Sequence, residues 1–474
     1  MLQSAGLPKI TFMPSRHFTR GLFLTIFLVA CGLRLAVAFY NRESNDPHIA
    51  VIRLIVRSGT LPTRDDCSQC YHPKLFHYAS AAALRVAGML EAPKDEQIRF
   101  VQLINALAGT ATVVVAWSFL SGLDSGSPAW KAAAFGLFAL NPKLIGINGQ
   151  VTNDTFVILF SSLTLYLAAR FLRGQSLAAT IVCAVLSISA KSNGIVTALA
   201  VLLALVVKWS VDARRRESLL YAAVFTVGVC GISVLNPLNQ YAENMRQYAS
   251  PVVSNADRPP AAELWIKSYT PYAGVLSISD AMLTFRFSSL LETPRNRRAD
   301  LDYPAHRNSF WAQIYAQSQS VHFDAWPMSW RPSRVPVNNI TRAIFWLALV
   351  PSALLAGGIL TGAVRLVRDL LRRNGERTAS LHYGLFLFAA LGFTAAAALY
   401  SMEMRRYTAM KAIYLYPALL AFVPLFLQAT DALREGLLSR SRAVAAALFA
   451  AIVALLALYV VDVWLLIVRL RSLV

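Results

Sequence analysis

Asn45, Asp46, Pro47 and His48 follow the first long apolar segment of a basic, strongly apolar chain. A carboxylate at a membrane–water boundary can take a proton from a hydroxyl or amine acceptor, so Asp46 is a candidate general base. The residues after it, Ile49, Ile52, Leu54 and Ile55, form an amphipathic stretch that ends at Gly59. Pro47 suits the first turn of such a helix, so Asp46 also suits the simpler role of its N-cap. His48 could support the base, bind a metal or meet lipid headgroups.

Asn153 and Asp154 repeat the arrangement after Asn141-Pro142 and the turn Asn148-Gly149-Gln150. Asp154 alone would suit the positive end of a helix dipole. Together, Asp46 and Asp154 could hold a divalent cation that neutralises a phosphate leaving group. Between them, Asp65 to Lys74 contains Cys67, Cys70 and His72. The two cysteines could close a local disulfide, join His72 around zinc or remain thiols. Lys74 could pair with a lipid phosphate or simply snorkel. Arg34, Lys191, Arg405, Arg406 and Lys411 also fall near the same boundary, against the expected charge bias, and a bound anionic headgroup would account for them. Ser309 to Tyr315 and His322 to Trp326 combine aromatics with polar groups, suited to sugar rings, acyl chains or a small core.

The elements that must position these residues are membrane spans. The chain has 474 residues, 56% of them hydrophobic and 15% charged, with a formal net charge of +20. That composition excludes a soluble domain, and arginines confined to short loops argue against nucleic-acid binding. Apolar runs fall at about 18–40, 98–120, 130–147, 154–173, 176–191, 194–210, 218–236, 339–364, 380–400, 408–428 and 442–468, which predicts about 11 transmembrane helices. The run from Leu22 to Tyr40 is too long for a cleavable signal core and reads as an anchor. Basic clusters at Arg16 and Arg20, Arg214 to Arg216, Arg365 to Arg373 and Arg434 to Arg442 all fall on one side if the interrupted run 73–90 does not cross. That run is therefore expected to lie at the outer interface or to re-enter partway. The same parity places 41–97, 148–153 and 237–338 outside. The chain divides into a first transmembrane module up to 236, a large outer loop over 237–338 and a final set of spans over 339–474. Gly-rich or lysine-bearing nucleotide loops are absent.

Four segments resemble the GT-C superfamily of polyprenyl-phosphate-dependent glycosyltransferases, near its protein O-mannosyltransferase and aminoarabinose-transferase branch. They are Asn45 to His48 with Ile52-Arg53 and Ser58 to Pro62; Cys67 to Leu75; Asn141-Pro142 through Asn153-Asp154; and Lys411 to Pro417 with Tyr414. The chain departs from the pattern at Asn45, where the family has a second acid, and at Lys74, where it has a second proline. The resemblance implies an all-α GT-C fold with interfacial helices in the first outer loop, and sugar transfer from a polyprenyl-phosphate donor to a glycan, lipid or protein acceptor. It further implies Asp46 and Asp154 as catalytic residues. Arg34, His48, His72, Lys74, Asn153, Lys191, Lys411 and Tyr414 become the substrate-binding set. The location expected is a bacterial inner membrane, with the site on the extracytoplasmic side. A lipid-linked-glycan flippase and a non-catalytic assembly subunit are the alternatives.

Overall fold

The computed structural model describes residues 16–123, 125–211, 215–253, 278–292, 309–323, 330, 336–371, 378–404, 410–436 and 441–473. Arg214, Arg372, Arg373, Arg405, Arg406, Arg440 and the 324–326 stretch lie outside the described residues.

The described residues form helices and no strand. In chain order they are α1 (Arg16–Tyr40), α2 (His48–Ser58), a 3-10 turn (Arg64–Asp66), α3 (Leu75–Val86), α4 (Lys94–Ser121), α5 (Pro128–Ala139) and α6 (Pro142–Asn148). Then come α7 (Asp154–Phe171), α8 (Ala178–Ala190), α9 (Gly194–Val211), α10 (Arg215–Leu235) and α11 (Tyr241–Tyr248). Three short helices, Ile278–Leu283, Phe287–Glu292 and Phe310–Gln319, precede the long ones, Pro336–Leu371, Thr378–Met404, Leu419–Glu435 and Arg442–Arg471. A 3-10 segment, Ala412–Ala418, leads into the Leu419 helix.

Eight of these helices, among the described residues, are long and apolar enough to cross a membrane, and the chain is an integral membrane protein. Exposed leucines and valines on their outer faces, such as Leu220 on α10 and Val364, are what hydrocarbon would cover. The other three apolar runs behave differently. Two form the shorter helices at 178–190 and 194–210. The third, 130–147, is broken between α5 and α6, because Pro142 cannot continue a helix and Asn141 starts a new one by accepting from the Leu144 amide at 3.0 Å. α3 has 12 residues and rises only about 18 Å, too little for a hydrocarbon core of about 30 Å. It packs on α2, α4 and α8.

The break in the third run explains Arg34. Its guanidinium is fully buried within α1 and donates to the Ala139 carbonyl at 2.8 Å, one of those freed where α5 ends. It also donates to Ala30 O and to the Asn148 side chain, both at 2.9 Å. Asn148 in turn fills the space that a side chain at residue 109 would take: a Cβ on Gly109 would lie 2.3 Å from the Asn148 amide carbon. Gly149 is equally tight, with a Cβ there falling 2.4 Å from Val37. α1, α4 and α6 therefore meet at van der Waals contact around one buried amide.

The later helices pack onto this first bundle. Thr378–Met404 lies on α9, the 3-10 segment lies on α7, and Arg442–Arg471 touches α1 and α6. The Gly109→Ala variant should lose about 1–3 kcal/mol of stability through overpacking against Asn148. A thermal midpoint in detergent equal to that of the parent would contradict the contact.

Candidate active site

The loops that end α1 and begin α7 are stitched together by side-chain amides. Asn41 donates to the Gly149 carbonyl at 2.8 Å, and the Val151 amide donates to Ser44 O at 3.2 Å. From α4, Gln102 donates to Glu43 O at 2.7 Å, and Asn105 donates to Gln150 O and Thr152 O at 2.7 and 2.9 Å. Asn45 takes a left-handed backbone, φ 65°, which asparagine tolerates better than most residues. That turn sets Asp46 at the entrance to α2.

Asp46 does not cap α2. Pro47 occupies the cap position, with no side chain capping the helix. The Asp46 carboxylate, 39% exposed, instead accepts from Gln69 Nε2 on Oδ1 at 3.2 Å and has His48 Nε2 at 3.6 Å from Oδ2. Asp154 sits in the first turn of α7, where the helix dipole favours an acid. Its Oδ1 pairs with Lys191 Nζ at 2.6 Å, and its Oδ2 accepts from Thr152 Oγ1 at 3.0 Å. Lys191 follows the last residue of α8, where a cation is favoured, so the ion pair joins two oppositely charged helix ends. The turn after Lys191 needs Gly194, because a Cβ there would lie 2.5 Å from the Ser187 backbone. Lys191 also lies 5.8 Å from the centre of the Tyr414 ring, which packs edge-on against Tyr400.

The two acids share an electrostatic neighbourhood. Burial lowers the His48 pKa; Asp46 and Asp154 oppose that shift, and Lys191 and Lys74 add to it. Tyr71 is raised well above the usual tyrosine range, chiefly by burial, with Tyr414, Tyr400, Asp46 and Asp154 adding. His72 and His77 are held well below the usual histidine range by burial and by neighbouring cations and imidazoles. The three imidazoles cluster, with ring centroids 5.4 Å apart for His48 and His72 and 5.0 Å for His48 and His77.

The 65–74 loop is a clasp. Cys67 and Cys70 are joined by a disulfide. Lys74 is fully buried, and its ammonium donates to Cys70 O at 2.5 Å and His72 O at 2.6 Å. Its backbone amide reaches Leu238 O at 2.7 Å, while Tyr248 of α11 donates to Asp65 at 2.7 Å. Lys74 therefore ties the disulfide loop to itself.

The structure gathers Asp46, His48, His72, Asp154, Lys191 and Tyr414 in one neighbourhood. Asn153 sits beside it, buried, with Nδ2 on Ala190 O at 3.2 Å and Oδ1 without a hydrogen bond. Lys411 is exposed three residues before Tyr414. Arg34 is committed to the α5–α6 break. Among the described residues no three His, Cys, Asp or Glu side chains form a group that could hold a metal ion. One Asp154 oxygen meets an ammonium and the other a hydroxyl. Gln69, Tyr71 and His77 join the site without having been singled out by sequence, because their partners lie far along the chain. Polar side chains in or beside apolar runs were the available signal.

In the 309–323 segment the aromatics are mostly core. Phe310 and Tyr315 are buried, and Trp311 is exposed with its indole N–H on Met282 O at 2.8 Å. Gln317 and Asn141 lock this helix to the 3-10 segment: Ala412 N donates to Gln317 Oε1 at 3.0 Å, and Tyr416 donates to Asn141 Oδ1 at 2.8 Å.

No family model and no curated protein matches the chain. Solved structures do. An Archaeoglobus fulgidus oligosaccharyltransferase tethered with an acceptor peptide aligns over 96% of this chain at 14% identity, with a TM-score of 0.51. The likeness is one of fold. The chain covers 55% of that longer protein. The AglB oligosaccharyltransferase of the same organism, in complex with an inhibitory peptide and a dolichol-phosphate, aligns at 12% identity and TM-score 0.47, covering 96% of this chain and 56% of that one. ArnT from Cupriavidus metallidurans bound to undecaprenyl phosphate aligns at 17% identity and TM-score 0.33, covering 87% and 77%.

Burial brings the Lys74 pKa down from 10.5 to about 7, against a pull upward from Asp66. The unfolded chain then holds this proton more tightly, so stability rises with pH between about 7 and 10.5, by up to about 1.4 kcal/mol per pH unit. The thermal midpoint should climb from pH 7 to pH 9, and Lys74→Met should flatten the climb. Parallel curves for the two proteins would refute it.

Proposed function

We propose that this chain is an integral-membrane glycosyltransferase that moves a sugar from a polyprenyl-phosphate carrier to an acceptor on the extracytoplasmic face, in a bacterial inner membrane. The observation that carries the reading is the part-exposed Asp46 carboxylate, which accepts from Gln69, faces His48, and acts on that ring together with Asp154 and Lys191. The fold shared with an oligosaccharyltransferase supports it, as do the motif resemblances around both acids.

In this reading Asp46 takes the proton of the acceptor hydroxyl or amine as that atom attacks the anomeric carbon. The bond from that carbon to the phosphate oxygen breaks, and the electron pair leaves with the polyprenyl phosphate. Attack opposite the leaving group inverts the sugar. Lys191 and the exposed Lys411 meet the phosphate, whose negative charge grows as the bond breaks. Asp154 positions Lys191, and Tyr414 borders the phosphate. Lys74 and Arg34, spent on backbone carbonyls, keep structural roles. No step requires a metal.

Purified protein should transfer sugar from polyprenyl-phospho-sugars in vesicles, read by product mass. Asp46→Asn should keep its fold and lose about 100-fold or more of the rate. Undiminished turnover in that variant would exclude the assigned base. Translocation of labelled lipid-linked sugar with no transfer to any acceptor would favour a flippase instead.

A further inference from the structure

His77 lies outside every residue set assigned to the reaction above, and its surroundings are unusual. It is buried in α3, and its Nε2 sits 2.9 Å from His48 Nδ1. The other nitrogen of His48, Nε2, faces Asp46 Oδ2 at 3.6 Å. A line thus runs from His77 through His48 to the carboxylate, whose second oxygen is already held by Gln69.

A neutral imidazole carries one N–H, and two neutral rings in contact share one hydrogen bond. Two arrangements are open. In the first, His48 donates from Nδ1, which leaves the bare lone pair of its Nε2 facing a carboxylate. In the second, His77 donates from Nε2, and His48 keeps its proton on Nε2, pointing at Asp46. The negative charge of Asp46, with Asp154 adding to the potential at His48, selects the second. One group favours the first: the Pro73 carbonyl, which approaches the His77 ring and would draw a proton to Nδ1. His77 Nδ1 makes no hydrogen bond of good geometry, so a neutral dipole without a closed contact is set against a full charge. The charge wins. A bare, unpartnered Nδ1 is also what the second arrangement leaves on His77.

We infer that His77 is a positioning residue that fixes the tautomer of His48, so that His48 presents an N–H to Asp46 and sets the orientation of that carboxylate. The inference rests on the reading of Asp46 as the base, and it adds two residues on α2 and α3 to the machinery that aims it. Gln69 and His48 then clamp one oxygen each, and the outward lone pairs remain for the acceptor proton. Burial keeps both rings neutral near pH 7, despite Asp46 and Asp154 favouring a charged His48, with Lys191 and Lys74 opposing them. The gap of 3.6 Å closes to a hydrogen bond when an acceptor displaces water from the carboxylate, since catalytic contacts are commonly long before substrate binds.

The test reads the tautomer directly. The full chain, labelled with 15N-histidine and placed in lipid nanodiscs, is measured by long-range 1H–15N spectra, with His48 and His77 assigned by substitution. In the parent, His48 should show a protonated Nε2 and a bare Nδ1. His77→Gln, whose amide N–H falls where the His77 Nε2–H was, should keep that signature. His77→Leu should mix the tautomers of His48 and lower transfer from polyprenyl-phospho-sugars by about tenfold, with His77→Gln restoring it. A proton on His48 Nδ1 in the parent, or an unchanged signature in His77→Leu, would overturn the inference. If Asp46→Asn abolishes transfer while His77→Leu leaves it intact, the base stands and the positioning role falls. Full transfer by Asp46→Asn would remove both.

Discussion

A backbone carbonyl freed inside a membrane protein must find a donor within the protein, because no water is at hand. That constraint shapes this fold. The chain breaks its helices where the candidate site is built, and each break is met by a long polar side chain from a neighbouring helix or loop. Arg34 answers Ala139, Asn41 answers Gly149, Asn105 answers Gln150 and Thr152, and Asn153 answers Ala190. Lys74 does the same for Cys70 and His72 in the first loop. Irregular backbone thereby has carbonyls satisfied within the protein, as a helix does.

The charges follow from the same geometry. Helices that stop short expose their dipole ends to one another. α7 begins where α8 finishes, so an acid at the first and a lysine at the second meet as an ion pair with both dipoles in favour. Asp46 is treated differently. It is left part-exposed, accepting from the neutral Gln69 amide and facing the His48 imidazole at 3.6 Å, with no Lys or Arg in direct contact among the described residues. The two acids are chemically alike and are given unlike neighbours.

Much of this was legible in the sequence because the hydrocarbon core imposes length and polarity on the spans. The long apolar runs all became helices, and the interrupted run around Lys74 and His77 became a short helix that lies against its neighbours. The break at Asn141-Pro142 was visible as residues, although the apolar count around it suggested one continuous span. The site was legible only as far as local pattern reaches. Asp46 and Asp154 stood out because each follows an asparagine at the end of an apolar run. His77 and Gln69 did not, since nothing in the spacing of His48 and His77 says that their rings touch. Lys74 and Arg34 looked like anion ligands because sequence cannot say that their donors are consumed by carbonyls of the same loop or the next helix.

Asp462 lies buried two-thirds of the way along the helix Arg442–Arg471, where a lone acid in hydrocarbon would be costly. It is not alone. The Val321 amide donates to it at 2.8 Å and the Ser320 hydroxyl at 3.0 Å, while the His322 ring meets its backbone carbonyl at 3.0 Å. As the ribosome releases the chain, residues 320–322 emerge well over a hundred positions before their partner. That turn must wait, without these partners, until the helix Arg442–Arg471 packs beside α1. The helix Arg442–Arg471 thus acts as a latch on a loop made much earlier, and the turn at 320–322 gains its partners only once that helix is in place.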